Sequence, residues 1–462
     1  SCGEINAFCA SAAAPNTFLM ASLADKRMNF MGIERDEIQE SAKLTGKKTS
    51  KLYYFITLLL AWSIPAVAVA GADISSETIV RFYEREDYGG DNRSLAPLYE
   101  YLTLEMWRER GTGLSFHSQL WGRADLADKS GEKKSDGEII YGYLQYLSPG
   151  VDFRVGRQSI YEGVANEPLD GGSISFDLGG MASLSLYGGP SVSMAEEDGR
   201  SGDLVYGGRL SHTLPGVYSL GLSYKSLSND SDVAQELAGV DASLFMIPST
   251  SVMGRSTINV ESGEWAEHSY EALILVGDFA FRPHFWTFDY AEIFDAGDKT
   301  PGPFQFLADG EEQVTVVGAA VDFQLTEDAV MIEVKGDSYN YEERNESANY
   351  AAVALEVRTA EITGAGAELG RMEGETSDNS YTIGRGYAQW RSGIYLLSGD
   401  IVYAAYDEPV LGEDQSLFLS LGGGMTFMGG ALTLKVSGDY TSGPYFDEDL
   451  RAMVTCDYHF TK

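Results

Sequence analysis

From about Ser76 onward the chain repeats one pattern: apolar side chains at every second position, then a polar or glycine-rich connection. Leu432, Leu434 and Val436 alternate with Thr433, Lys435, Ser437 and Asp439. Val330, Ile332 and Val334 alternate with Met331, Glu333, Lys335 and Asp337, and Val353, Leu355 and Val357 with Ala352, Ala354, Glu356 and Arg358. Tyr218, Leu220, Leu222 and Tyr224 alternate with Ser219, Gly221, Ser223 and Lys225. A period of two is that of a β-strand with one apolar and one polar face. Successive strands meet across short turn sequences such as Ser148-Pro149-Gly150, Leu214-Pro215-Gly216, Gly277-Asp278, Ser392-Gly393 and Gly429-Gly430, which read as hairpins. Short turns alternate strictly with longer connections, among them Ser159–Gly171 and the longest, Ala291–Gln313. With an opening strand near Thr78–Glu86 this gives about 22 strands, in a range of roughly 20–22. An even number places both strand termini on the short-turn side.

The last strand sharpens the picture. Ala452, Val454, Cys456, Tyr458 and Phe460 point one way, and Met453, Thr455, Asp457 and His459 the other. An aromatic-tipped final strand resembles the closing strand of bacterial outer-membrane β-barrels, although Phe460 is third from the end and not last. An edge strand of a soluble sheet is the competing reading. Soluble one-sided sheets also alternate, but they are covered by helices or a second sheet. Here the rhythm continues with no covering helix, and the second face carries Lys, Glu, Arg and Ser, as a wet lumen requires. The expected fold is all-β: a transmembrane antiparallel up-and-down β-barrel with short periplasmic turns and long extracellular loops. Tyr99, Trp107, Trp121, Tyr143, Tyr146, Trp286, Trp390, Tyr440 and Tyr458 lie near strand ends and suit interfacial girdles.

Ahead of the strands, Lys47, Lys48 and Lys51 precede the apolar run Leu52–Trp62 and the small residues Ala66, Ala68, Ala70 and Ala72. A basic segment, a short apolar core and A-x-A spacing predict a secretory signal peptide over residues 47–72, cleaved after Ala70 or Ala72. A transmembrane anchor is the alternative, and its apolar run is short for one. Residues 1–46 read as an unstructured extension absent from the mature protein, and residues 73–462 as the barrel.

Composition narrows the function. The chain has 462 residues with 52 Gly and 27 Tyr, and 33 basic against 69 acidic residues give a net charge of −36. That excludes nucleic acid, whose phosphates demand a basic surface. The acid gathers between strands, at Glu196-Glu197-Asp198, Asn229-Asp230-Ser231-Asp232, Glu342-Glu343, Glu413-Asp414 and Asp447-Glu448-Asp449. These are solvated loops or weak divalent-cation contacts, and none has the spacing of a calcium loop. The three cysteines, Cys2, Cys9 and Cys456, form no CxxC or CxxCH motif, so no cofactor or metal is expected. The five histidines lack HxxxH or HExxH spacing, and no GxSxG, Walker or dinucleotide motif occurs, so no enzyme is expected. The interval between Ala72 and the first strand leaves no room for the globular plug of a TonB-dependent transporter.

What remains is a pore. The expected pore-lining residues are Glu105, Arg123, Arg154, Glu333, Lys335, Glu356, Arg358, Asp400, Lys435 and Asp439. Mixed acid and base either sets a transverse field that orients solutes or closes into wall salt bridges. The connection Ala291–Gln313, with Pro301-Gly302-Pro303, either folds inward to narrow the pore or stays outside. Arg154-Val155-Gly156-Arg157-Gln158, with Glu162-Gly163 and Leu169-Asp170-Gly171, resembles a stretch of proteobacterial outer-membrane porins of carbohydrate- or anion-export type. The expected function is an outer-membrane porin for diffusion of small hydrophilic solutes or ions, in contact with outer-membrane lipid and lipopolysaccharide. The second expectation is a barrel that sheathes a periplasmic multihaem cytochrome and serves transmembrane electron transfer.

Overall fold

The computed structural model describes residues 71–86, 92–109, 111–127, 135–192, 203–294, 312–326, 329–359, 362–444 and 446–461. The signal-peptide and extension readings, apart from Gly71 and Ala72, lie outside the described residues. The barrel strands are β1 (Gly71–Glu86), β2 (Asn92–Leu95), β3 (Pro97–Glu109), β4 (Thr112–Asp125), β5 (Ser135–Ser148) and β6 (Val151–Glu162). Next come β7 (Ala165–Asp177), β8 (Ala182–Gly189), β9 (Leu204–Leu214), β10 (Tyr218–Asn229), β11 (Asp232–Ile247) and β12 (Thr250–Asn259). Then β13 (Trp265–Val276), β14 (Phe279–Asp289), a short helix α1 (Tyr290–Phe294), β15 (Gln313–Thr326), β16 (Val330–Tyr341) and β17 (Glu346–Val357) follow. The last six are β18 (Ile362–Gly374), β19 (Tyr381–Ser392), β20 (Tyr395–Val410), β21 (Glu413–Phe427), β22 (Leu432–Gly443) and β23 (Phe446–Thr461).

All pairings are antiparallel between sequence neighbours, save one. β1 also pairs with β23 from Asp73↔Thr461 to Tyr83↔Arg451, and this closes the sheet. β2 and β3 both pair with β1 and are one staff interrupted at Ala96, so the closed barrel has 22 strands. Among the described residues no helix is long and apolar enough to cross a membrane, which says nothing of the strands.

Register fixes the faces, because directly paired residues share one. On the apolar face, Leu222, Val353, Leu369, Leu421 and Val436 are each more than half exposed. In a closed barrel only the outside offers lipid to such side chains, so the polar alternates surround the axis.

The structure corrects two expectations about the connections. The stretch Ser159–Gly171 is not a loop: β6 and β7 stay paired from Val151↔Phe176 to Glu162↔Ala165 and turn at Gly163, whose φ is +62°. The acidic segment 229–232 is likewise a tight hairpin, with Asp230 and Ser231 at φ +51° and +76°. Two successive positive φ values make the turn whose twist matches the flanking strands, so polar composition there marked a hairpin tip and not a long loop. Long and short connections therefore do not strictly alternate. The expected opening strand also starts earlier, at Gly71.

The aromatic assignments divide as well. Tyr146, Trp390, Tyr440 and Tyr458 share the apolar outer face, but Tyr99, Trp107, Trp121, Tyr143 and Trp286 share the register of polar residues such as Arg123, Glu105 and His284. Inside, Tyr99 lies under two guanidinium groups, Arg81 at 5.6 Å and Arg123 at 5.9 Å from the ring centroid. Cation–π contact gives such rings a role other than a membrane girdle.

Candidate functional site: the barrel interior

Strand register brings acid and base to the inner wall on facing strands. The densest part runs over β14 to β20. Arg282 on β14 donates to Asp322 on β15 at 2.9 Å and also to Glu333 on β16. Lys335 lies 3.9 Å from Glu333 and 3.0 Å from Glu368 on β18. Tyr350 donates to the same Glu368 at 2.9 Å. Arg385 on β19 meets Asp400 on β20 at 2.6 Å. His284 and Asp337 approach to 2.8 Å one step along the same strands. Each base is shared by, or stands beside, more than one carboxylate, so this ladder carries more acid than base.

The other expected lining residues are distributed around the wall. Arg154 pairs with Asp152 at 2.7 Å, Arg358 with Glu356 at 2.6 Å and Lys435 with Asp457 at 2.9 Å. Glu105 lies 3.6 Å from His117. Asp439 stands across the register from Arg451. All ten expected residues share the polar face by register or, for Arg358, by contact with Glu356. The structure brings Glu333 and Lys335 together, as it does Glu356 and Arg358, and keeps the others apart. Their partners Arg282, Asp322, Glu368 and Arg385 were not singled out from sequence, although each occupies the polar alternate of its strand and could have been found by that parity.

A second feature was not singled out from sequence. Residues 295–311 of the connection expected to fold inward lie outside the described residues. Among the described residues, a segment that turns inward is the β6–β7 hairpin. The Val164 backbone N–H donates to Ser223 Oγ on β10 at 3.1 Å, and Lys225 meets Glu167 at 2.8 Å with the Lys225 side chain only 5% exposed. Ser223 and Lys225 share the polar inner face with Arg209 and Gly239. The hairpin therefore lies as a strap along the inside of β8 to β11. Beneath it Ile160, Ala165 and Leu169 pack on Tyr187 and Val205, with Leu227 at the edge. Leu169 and Val205 are fully buried. Gly239 makes room for it: a Cβ there would stand 2.4 Å from Val164 Cγ1. No group of residues among those described could hold a metal ion.

No protein-family model matches the chain, and no curated protein matches it in sequence. Solved structures do resemble it in fold. A mutant of the ferric enterobactin receptor PfeA of Pseudomonas aeruginosa is 12% identical over 85% of this chain and 81% of its own, with a TM-score of 0.53. The siderophore receptor PirA of the same organism is 11% identical over 84% and 80%, with a TM-score of 0.52. OccAB4 of Acinetobacter baumannii is 7% identical over 85% and 98%, with a TM-score of 0.45. The fold is that of a large outer-membrane barrel. At these identities the likeness is one of fold alone.

Proposed function

We propose that the protein is an outer-membrane channel through which small hydrophilic solutes or ions diffuse. The observation that carries this reading is the inner wall: a closed 22-strand barrel whose axis-facing residues are ionised, paired and partly exposed. A barrel of this width is not filled by wall side chains alone. The ten residues from Glu105 to Asp439 line the path, and the strap narrows it from one side. Lipopolysaccharide and outer-membrane lipid contact the apolar outer face. The segment over residues 47–72 is the signal peptide that sends the chain to the envelope.

The test is conductance of the folded protein in a planar lipid bilayer. Discrete, stable current steps support the channel. A correctly folded, heat-modifiable barrel that conducts nothing overturns it and directs attention to a lumen filled by a protein such as a multihaem cytochrome.

A further inference from the structure

The inner wall at the closing seam holds polar groups that the barrel itself leaves unused. Register sets Ser75 of β1 opposite Thr103 of β3, and Thr103 opposite Gln119 of β4. One step up, Glu77 stands opposite Tyr101 on one side and opposite Asp457 of β23 on the other. These residues share the parity of Glu105 and His117 and so face the axis. Ser75, Glu77, Tyr101, Gln119 and Asp457 line one cavity of about 280 Å³, which reaches the short turn after β21.

The charges in this cavity are not balanced. Lys435 holds Asp457 at 2.9 Å, and His459 stands 3.2 Å from Asp73 at the lower rim. Glu77 is exposed and meets no cation among the described residues, although Asp457 lies directly across the ladder from it. Like charges so placed weaken a sheet. The side chains of Ser75, Tyr101 and Gln119 likewise form no hydrogen bond among the described residues. The Tyr101 ring also meets no other ring or guanidinium there, whereas Tyr99, two places along β3, lies under Arg81 and Arg123. On the ladder, by contrast, Tyr350 donates to Glu368 and Arg385 holds Asp400. A bare aromatic ring, a free amide, a free hydroxyl and an unopposed carboxylate are thus gathered around one hollow.

We propose that this cavity is a station on the inner wall that holds a monosaccharide, with an amino sugar preferred. A pyranose carries an apolar C–H face and a girdle of hydroxyls. The Tyr101 ring supplies the matching apolar face, and its hydroxyl, Ser75 and the Gln119 amide can donate to and accept from the girdle. Glu77 sets the preferred charge. Its carboxylate accepts hydrogen bonds from hydroxyls, accepts more strongly from an ammonium, and repels a carboxylate or phosphate. The volume lies just below the ~300–1,000 Å³ of sites for drug-sized ligands, so it suits one ring and not a chain of them. The station's role in passage rests on the channel reading, whereas its occupancy requires only the folded barrel.

The test reads binding, not transport. Saturation-transfer NMR is run on the full chain, folded in deuterated micelles whose headgroup is not a sugar, with glucosamine, glucose, gluconate and ethanolamine as probes. Heat-modifiable mobility confirms that each variant is folded. Glucosamine should give a saturable signal, strongest on the protons of one ring face. Glucose should show the same pattern several-fold more weakly, and gluconate none. Glu77→Gln, at an exposed position, should bring glucosamine down to the level of glucose. Tyr101→Leu should remove the face-selective signal of both sugars and Tyr101→Phe should keep it, while Tyr395→Leu on the outer face should change nothing. A glucosamine signal that is absent, or that neither Glu77→Gln nor Tyr101→Leu alters, overturns the station. Ethanolamine bound as tightly as glucosamine overturns the sugar. A barrel that conducts in a bilayer yet binds no sugar refutes the station alone, and one that binds sugar yet does not conduct refutes the channel alone.

Discussion

The interior is organised in two different ways on its two sides. Under the strap, over β8 to β11, apolar side chains exclude water and form a small core of the kind found in soluble proteins. Across β14 to β20 the wall is a ladder of ion pairs with no apolar cover among the described residues, and its groups are partly exposed. The first side resists change because removing atoms leaves a cavity and removing a charge strands its buried partner. The second resists little, because water screens each pair and can replace it. A barrel interior therefore separates its tasks: one side fixes shape, and the other sets the charge that a solute meets.

Four substitutions and one change of conditions test that contrast, in order of expected effect. Leu169→Asp places a charge in the fully buried centre beneath the strap; it should release the hairpin and raise unit conductance in a planar bilayer. Leu169→Ala at the same site should cost ~2–5 kcal/mol in urea unfolding, the range for truncating a buried leucine. Arg282→Gln should cost less, about 1–3 kcal/mol, since it removes hydrogen bonds to two partly exposed carboxylates. It removes the guanidinium from Asp322 and leaves Glu333 with Lys335 alone, so the reversal potential in a salt gradient should move toward cations. Acid in excess of base along the ladder also sets a salt dependence. Salt shortens the reach of these charges from about 10 Å at 0.1 M to about 3 Å at 1 M, so cation preference should weaken as ionic strength rises. Lys435→Gln breaks a pair whose members are 51% and 33% exposed, and its effect on stability should stay below ~1 kcal/mol. Equal effects at Leu169 and Lys435 would abolish the distinction between the two sides.

Much of the fold was legible in the chain because a barrel is written locally. Alternation along Leu432–Asp439 or Val330–Asp337 assigns each residue to a face without knowledge of any distant contact, and the turn glycines mark the hairpins. The inner-wall residues follow by the same parity. What stayed hidden depends on groups far apart in sequence. Val164 and Ser223 are 59 residues apart, and nothing in either segment announces the other. The run from Ser159 to Gly171 carries Gly163, Pro168 and Gly171, so it reads as a loop, while Ile160, Ala165 and Leu169 are the signal that it buries a face. Aromatic residues misled for a related reason: residue type gave Tyr99 and Trp121 to the membrane surface, and only their register with Arg123 and Tyr101 turned them inward.

Closure of the barrel by β1 and β23 has a consequence for how the molecule is built. Every other strand pairs with its immediate predecessor, so those ladders can form as hairpins over short stretches of chain. The final seam joins residues as distant as Asp73 and Thr461, 388 positions apart, whose side chains hydrogen-bond at 2.6 Å. Eleven cross-strand pairs wait on that one meeting. Until it occurs, the sheet has two bare edges and can add a foreign strand as readily as its own. The rate of this single long-range event, and not the formation of the individual hairpins, should then govern how fast a chain becomes a barrel and how exposed it is to misassembly on the way.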